Sequence, residues 1–234
     1  MNRSGKTACP GKFALGVLLG AALLAGALLG PPLWAQEHAA SQSIPASHAS
    51  RFATVESASR DEWQRPDEVV RALGLRDHQV VVDLGAGTGY FTRRLAEAVA
   101  PSGRAIALEI EASLVRSLVA DAKRWDLTNY EARLVPPDDP MLRPASVDVI
   151  FVCDTYHHIN DRIAYFRNAR QSLRPEGRLV IVDFVRTPEN PEHSIVKPDV
   201  IDELRQAGYR FAREFGFLLP KQYFLVFEPA PVSP

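Results

Sequence analysis

Cysteine and excess charge are both scarce in this sequence, and their scarcity excludes several classes of protein. Two cysteines occur among 234 residues, Cys9 near the N-terminus and Cys153 in an apolar run, so the folded part cannot form an internal disulfide. The formal net charge is -1, and no dense Lys/Arg run lies beyond the extreme N-terminus. A polyanion is therefore not attracted. We expect neither a disulfide-stabilised domain nor a nucleic-acid-binding protein.

Charged residues are also missing from residues 13–30, an apolar run that follows Arg3, Lys6 and Lys12. A short segment that ends in a small residue, residues 33–35, comes soon after it. The order of basic, apolar and small residues is typical of a secretory signal, and the run is nearly long enough for an uncleaved membrane anchor. Both interpretations predict export to the periplasm or anchoring outside the cytoplasm. The alternative is a buried core helix in a cytoplasmic protein.

Composition divides the chain into three segments. Residues 1–35 form the predicted signal peptide or anchor, residues 36–59 a flexible linker rich in Ala, Ser, Gln and His, and residues 60–230 one folded domain. Apolar runs in that domain are separated mostly by helical patterns, which predicts an α/β domain with a mainly parallel sheet. The runs are residues 79–84, 105–108, 130–135, 147–153 and 179–184, followed by 209–215 and 223–228.

A glycine-rich loop follows the first of these runs. Gly85, Gly87 and Gly89 lie between a buried strand and the start of a helix, where glycine lets the backbone turn tightly and approach a ligand. The spacing is G-x-G-x-G, whereas a dinucleotide fingerprint is G-x-G-x-x-G. Asp83 precedes the loop, and its carboxylate suits the ammonium group of a zwitterion better than a pyrophosphate. The stretch resembles the first motif of class I S-adenosylmethionine-dependent methyltransferases.

This resemblance covers about residues 60 to 228 and implies a Rossmann-like three-layer sandwich, with a mainly parallel seven-stranded sheet and an antiparallel C-terminal strand. It also implies S-adenosylmethionine as the cofactor. Glu109 matches the carboxylate that binds both ribose hydroxyls, and Asp138 the acid that recognises the adenine amino group. A solvated charge and an Asp-Asp-Pro turn are the respective alternatives. The predicted cofactor-binding residues are Asp83, Gly85, Ala86, Gly87, Gly89, Glu109, Asp138 and Asp154.

Titratable side chains cluster directly after the fourth run. We predict His157 as the candidate catalytic base, with Tyr156 and His158 shaping the pocket and Asp154 facing the donor or the acceptor. The alternative is that the histidines cap the next helix or pack against the sheet. No metal site is predicted, since the side chains of neighbouring residues diverge and no set of ligands at metal-binding spacing accompanies them. Arg60 and Trp63 are interpreted as part of a lid.

The predicted function is methyl transfer from S-adenosylmethionine to a small molecule, because no basic groove or additional domain for a macromolecule is evident. Membrane contact is expected only through an uncleaved N-terminal segment. Two alternatives stay open: an exported protein that binds an adenosyl ligand without catalysis, and an NAD-dependent oxidoreductase. The methyl acceptor and the oligomeric state are not indicated by any pattern.

Overall fold

The structure is a computed structural model, which describes residues 58–231. The predicted signal or anchor and nearly all of the predicted linker lie outside this range. The described elements, in chain order, are α1 (Ala58–Gln64), α2 (Pro66–Leu73), β1 (Val80–Leu84), α3 (Thr92–Ala98), β2 (Arg104–Glu109), α4 (Ala112–Arg124), β3 (Tyr130–Leu134), β4 (Val147–Cys153), a 3₁₀ helix (Tyr156–His158), α5 (Arg162–Arg170), β5 (Leu173–Phe184), α6 (Lys197–Gln206), β6 (Tyr209–Phe215) and β7 (Gln222–Pro229).

Local signals explain where the longer N-terminal helix begins and ends. In α2, Pro66 occupies the first turn together with Asp67 and Glu68, where a fixed φ and negative charge both favour helix initiation. Gly74 ends the helix in the left-handed conformation, with φ 58°. The chain then turns into β1, whose four residues after Val80 are all buried. A strand buried on both faces is what a parallel α/β sheet requires.

The strands within residues 58–231 form one seven-stranded sheet in the order β3-β2-β1-β4-β5-β7-β6. The neighbouring pairs from β3 to β5 are all parallel. β7 is antiparallel to both β5 and β6, between which it lies. The predicted fold, a mainly parallel sheet with an antiparallel C-terminal strand, is confirmed. The chain reverses direction in sheet order at β1, which brings the ends of β1 and β4 together at the switch point where such sheets bind ligands.

Helices cover both faces of the sheet and complete the three layers. On one face, Val82 and Ile150 pack with Phe166 of α5 and Leu204 of α6. On the other face, Val69 of α2, Leu95 of α3 and Leu118 of α4 belong to a second hydrophobic core. No helix among the described residues combines the length and the apolar character that crossing a bilayer needs. Tyr223, Phe224 and Phe227 are buried in these cores.

Candidate functional site

Two adjoining cavities lie at the carboxyl ends of the central strands. The larger has a volume of about 420 Å³ and is lined largely by apolar side chains that include Leu108, Leu114 and Val135. The smaller, about 160 Å³, is lined by Arg60 and Asp83 among others. Both cavities share the lining residues Gly85, Gly87, Asp154 and Thr155. The larger cavity falls within the usual size range of small-molecule sites, about 300–1,000 Å³.

Two glycines of the glycine-rich loop have different structural roles. Gly85 has φ 75°, and a side chain placed there would collide with Thr155, whose hydroxyl also lies 3.3 Å from the Gly85 carbonyl oxygen. Gly87 has φ 55°, and a Cβ atom built on it would meet no atom within 4 Å. Gly85 is therefore required by the packing of two loops. Gly87 leaves its side of the bend open for close approach of a ligand.

Glu109 connects the end of β2 to the loop. Its carboxylate accepts hydrogen bonds from the backbone N–H groups of Gly87 at 2.9 Å and Ile110 at 2.7 Å. Burial raises the pKa of Glu109 above its ordinary value, and the backbone donors partly offset the shift. Glu109 is 7% exposed and lines the larger cavity. A carboxylate held in this way can accept further hydrogen bonds from hydroxyl groups of a ligand.

Asp83 lies on the same face of the sheet as Glu109, because β1 and β2 pair in register with Asp83 beside Ala107, two residues before Glu109. The Asp83 side chain accepts a hydrogen bond of 2.6 Å from the Thr92 hydroxyl. Burial raises the pKa of Asp83 to about 6, which this hydrogen bond and the Arg60 charge only partly offset. A cationic ligand group would supply the opposite charge that this carboxylate needs.

Helix α1 contributes Arg60 to the lining of the smaller cavity. The Arg60 guanidinium lies 4.0 Å from the centre of the Tyr90 ring and 3.4 Å from the Asp154 carboxylate. Gln64 is fully buried and donates from its amide to Asp154 at 3.1 Å and to the Gln222 side-chain oxygen at 3.0 Å. Arg60, which the sequence places in a lid, therefore belongs to the cavity lining.

Asp154 is the acid where the two cavities meet. Its backbone has φ 53°, a strained conformation for aspartate that surrounding contacts must maintain. Its carboxylate contacts Arg60 and the amide groups of Gln64 and Gln222. Burial raises the pKa of Asp154 to about 6, with the Arg60 charge as the largest opposing effect. The residues that hold Asp154 come from both ends of the domain, and no local pattern in the sequence marks Gln64 or Gln222.

Three predicted residues, Gly89, Asp138 and Trp63, line neither of these two cavities. Gly89 lines neither of these cavities, and a side chain there would collide with Tyr130 and Leu118, so its role is in packing. Asp138 is exposed and lies outside both linings, whereas Pro137 lines the larger cavity. Trp63 also lies outside them, with its ring packed 5.9 Å from that of Phe184. The remaining predicted cofactor-binding residues, Asp83, Gly85, Ala86, Gly87, Glu109 and Asp154, line one or both cavities.

The three side chains of the 3₁₀ helix have different partners. Tyr156 is fully buried, donates from its hydroxyl to Glu203 at 2.6 Å and stacks on Phe166, so it does not shape either cavity. The His157 ring nitrogen Nδ1 lies 2.7 Å from the carboxylate of Asp183, at the end of β5. Since a carboxylate only accepts, Nδ1 carries the hydrogen, and Nε2 of a neutral ring keeps its lone pair. His158 lines the larger cavity.

The two neighbouring imidazoles do not diverge as predicted. The ring centres of His157 and His158 are 4.0 Å apart, although the two are consecutive residues of the 3₁₀ helix. His193, from the loop between β5 and α6, lies with its ring centre 5.8 Å from that of His157. Asp183 and His193 both contact His157 but are distant from it in the sequence, so no local pattern predicts these contacts. The position of Asp183 at the end of an apolar run is the one signal that could have indicated it.

The family comparison matches this geometry. The family model described as a methyltransferase domain matches residues 75–208, which is more than half of the chain and includes the glycine-rich loop, Glu109 and Asp154. The chain belongs to this family. It is a class I S-adenosylmethionine-dependent methyltransferase by family and fold, as the sequence predicts. The matches give no support to the NAD-dependent or the non-catalytic alternative.

Individual relatives of this methyltransferase are distant. It is 29% identical over 136 residues to a ubiquinone/menaquinone biosynthesis C-methyltransferase of Hahella chejuensis, covering 55% of this chain and 51% of the relative. It is 32% identical over 139 residues to the 27-O-demethylrifamycin SV methyltransferase of Amycolatopsis mediterranei, covering 57% of this chain and 49% of the relative. The aligned region thus spans about half the length of both curated relatives.

A solved structure shows the same fold. The chain superposes on a SAM-dependent methyltransferase from Aquifex aeolicus with a TM-score of 0.70 and 22% sequence identity, and the match covers 76% of this chain and 96% of that chain. At this identity the likeness establishes the architecture alone.

The cavity residues fit the family's cofactor. The buried Thr88 hydroxyl, in the lining of the smaller cavity, has no hydrogen-bond partner among the described residues. A buried polar atom of this kind is normally satisfied, so a polar ligand is expected beside it. The same cavity presents both an arginine and carboxylates, as a zwitterion requires. The larger, mainly apolar cavity is suited to an adenine ring and has Glu109 at its edge.

Proposed function

We propose that this protein transfers a methyl group from S-adenosylmethionine to a small-molecule acceptor. The observation that supports the proposal is the pair of adjoining cavities on the open side of the glycine bend, with Asp83 and Glu109 on one face of the sheet. A polar zwitterion-binding region next to an apolar region with a hydroxyl-binding carboxylate matches the two ends of an adenosyl amino acid.

Individual residues have distinct binding roles in this proposal. Asp83 and Asp154 stabilise the ammonium group, and the Arg60 guanidinium pairs with the carboxylate of the same amino-acid end. Glu109 accepts hydrogen bonds from the ribose hydroxyls. Gly87 allows the bend to approach the cofactor closely, since the space beside it is open. Asp138 is not assigned a binding role, because it is exposed and does not line the larger cavity.

The bound cofactor supplies a methyl group on a positively charged sulfur. The protein's own contribution is then to align the acceptor with that group and to exclude water, since the reaction is an in-line displacement. Of the three predicted catalytic side chains, only that of His158 lines either of the two adjoining cavities. His157 as base stays a prediction, with Asp183 as the group that orients its ring.

A small acceptor is proposed because the whole chain has a net charge of -1, which gives no general electrostatic attraction to a nucleic acid. The named relatives include a ubiquinone/menaquinone biosynthesis enzyme and a rifamycin methyltransferase, both of which act on small molecules. Their acceptors differ from one another. The proposal therefore extends to the class of acceptor and not to a particular compound.

Cofactor binding tests the first part of the proposal. Calorimetry with the full chain should give an isotherm for S-adenosylmethionine, and Glu109→Gln should weaken binding at least tenfold, about 1.4 kcal/mol. Glu176→Gln is the matched control, since Glu176 is an exposed carboxylate near the opposite end of the sheet. An isotherm with NAD and none with S-adenosylmethionine would contradict the proposal. So would equal binding by the two variants.

Activity is tested with a labelled methyl donor and an extract of the host organism. Label should appear in a small-molecule fraction when the wild-type protein is present, and much less should appear with Glu109→Gln. Label in protein or nucleic acid alone would contradict the small-molecule acceptor. Cofactor binding without label in any fraction would favour the non-catalytic alternative.

A further inference from the structure

Three imidazoles meet beside the larger cavity. His157 and His158 come from the 3₁₀ helix after β4, and His193 comes from the loop after β5. One ring nitrogen from each lies within 4.8 Å of the others. The rings of His158 and His193 are 6.0 Å apart between centres, so all three pairs are neighbours. This is the only such ligand group found within residues 58–231.

His157 is held in the orientation that a metal ligand requires. Its side chain is 3% exposed, and Asp183, which is fully buried, accepts from both its ring Nδ1 at 2.7 Å and its backbone N–H at 3.2 Å. The backbone N–H of Phe184 donates to the same carboxylate at 2.8 Å. A carboxylate that fixes one nitrogen of a histidine, and so directs the other, is the usual partner of a metal-bound imidazole.

His193 is placed by a compact turn in its loop. Its backbone N–H donates to the Asn190 carbonyl at 3.2 Å, and the hydroxyl of the buried Ser194 donates to that carbonyl at 2.7 Å. The Asn190 side-chain amide in turn donates to the Val185 carbonyl at 3.1 Å. These bonds fix the backbone on which His193 stands. The third imidazole is therefore held near the other two by its own local structure.

We propose that His157, His158 and His193 bind a divalent transition-metal ion of the zinc type. Imidazole ligands select zinc, copper, nickel or cobalt over magnesium and calcium, which prefer oxygen. Zinc–nitrogen bonds of about 2.0–2.1 Å in a tetrahedral site place the nitrogens about 3.3 Å apart. His158 and His193 are exposed, so rotation of their side chains can bring the nitrogens from within 4.8 Å to that distance.

Three protein ligands leave at least one coordination position for water or another oxygen ligand. Because His158 belongs both to the metal cluster and to the lining of the larger cavity, the ion lies at the border of that cavity. Coordination through Nε2 uses the lone pair that a catalytic base would need. In the metal-bound protein His157 is therefore a ligand and does not accept a proton from the acceptor.

The test measures metal affinity and needs neither cofactor nor acceptor, so its outcome is independent of methyl transfer. The full chain is stripped with a chelator and titrated with Co²⁺, whose visible spectrum reports nitrogen ligation, and Zn²⁺ competition then gives the affinity. His193→Ala and His158→Ala should each weaken binding at least tenfold. Asp183→Asn should weaken it by about 10–100-fold, the usual effect of losing such a partner.

The matched control is His78→Ala, because His78 is exposed and lies outside the cluster. His38 and His48 are present in every variant, so any metal that they bind adds the same background. Equal affinity of wild type, His193→Ala and His78→Ala would overturn the proposal. So would wild-type affinity no better than that of a variant in which His157, His158 and His193 are all replaced by alanine. Circular dichroism confirms folding, and His158→Ala carries the same comparison if His193→Ala unfolds.

Discussion

Asp83 carries an energetic cost in the ligand-free protein. Its pKa is raised from 3.8 to about 6, so the folded state holds the proton more tightly than the unfolded chain does. Between about pH 4 and pH 6 the unfolded state loses this proton first, and the contribution of Asp83 to stability falls as pH rises. The full difference is about 3 kcal/mol at 1.36 kcal/mol per pKa unit. A site built for a cation is thus destabilising until the cation binds.

The pH dependence of stability in Asp83→Asn tests this cost. The free energy of unfolding of wild type, minus that of the variant, should fall by about 2–3 kcal/mol from pH 4 to pH 7, because only wild type must ionise a buried carboxyl. Urea denaturation at several pH values measures it. Asp126→Asn is the control, since Asp126 is exposed and lies in the turn after α4. If this difference in unfolding free energy stays constant or rises with pH, the conclusion that Asp83 ionises at a cost in the folded state is wrong.

At the scale of single elements, α1 has little stability of its own. It has seven residues, and isolated helices this short do not persist in water. Contacts at one wall of the smaller cavity hold it: Arg60 over the Tyr90 ring, Gln64 on Asp154, and a hydrogen bond from the Tyr90 hydroxyl to Asp61. Its order should therefore depend on what occupies that cavity.

Hydrogen exchange of α1 should respond to the cofactor. Adding S-adenosylmethionine at saturating concentration should slow exchange of the amides in Ala58–Gln64 several-fold, because a ligand carboxylate on Arg60 opposes local opening. Mass spectrometry of peptides measures this effect. The control element is α6 (Lys197–Gln206), which contributes no residue to either cavity. Unchanged exchange in α1, at a concentration where binding is complete, would show that α1 is not part of the binding site.

The sequence predicts the bounds of those strands that have a regular apolar pattern. The bounds of β4 and β6 match the predicted apolar runs, whereas β5 begins at Leu173, six residues before its predicted start. The early part of β5 contains Pro175 and Gly177, and the pairing with β4 shifts register there. No apolar period is visible in such an irregular segment. Sequence reasoning therefore places only the regular half of the strand.

The candidate site likewise has residues that the sequence predicts and residues that it does not. The loop residues Asp83, Gly85 and Gly87 are predicted because one short motif contains them. The partners that complete the site come from distant positions: Gln222 lies 158 residues after Gln64, and Asp183 lies 26 after His157. Only the sheet order, which places β4 between β1 and β5, makes such contacts possible. A pattern confined to one stretch of sequence cannot specify them.

At the scale of the whole molecule, the location of the domain is a question for the N-terminal segment. We propose export, since a basic N-terminus precedes an uncharged run of residues 13–30. Residues 1–60 fused to a reporter that is active only outside the cytoplasm should give a positive signal. Residues 36–60 on the same reporter are the control and should give none. A silent first fusion would mean that the domain remains where its cofactor is made.

The contact between Thr155 and Gly85 limits how this protein can diversify. The threonine side chain occupies the volume that any side chain at residue 85 would need. A bulkier neighbour at either position would push the cofactor-binding bend away from the end of β4. Variation in acceptor preference, whether by evolution or by engineering, is thus expected at positions other than these two. Gly85 and Thr155 should therefore stay unchanged in variants that differ in their acceptor.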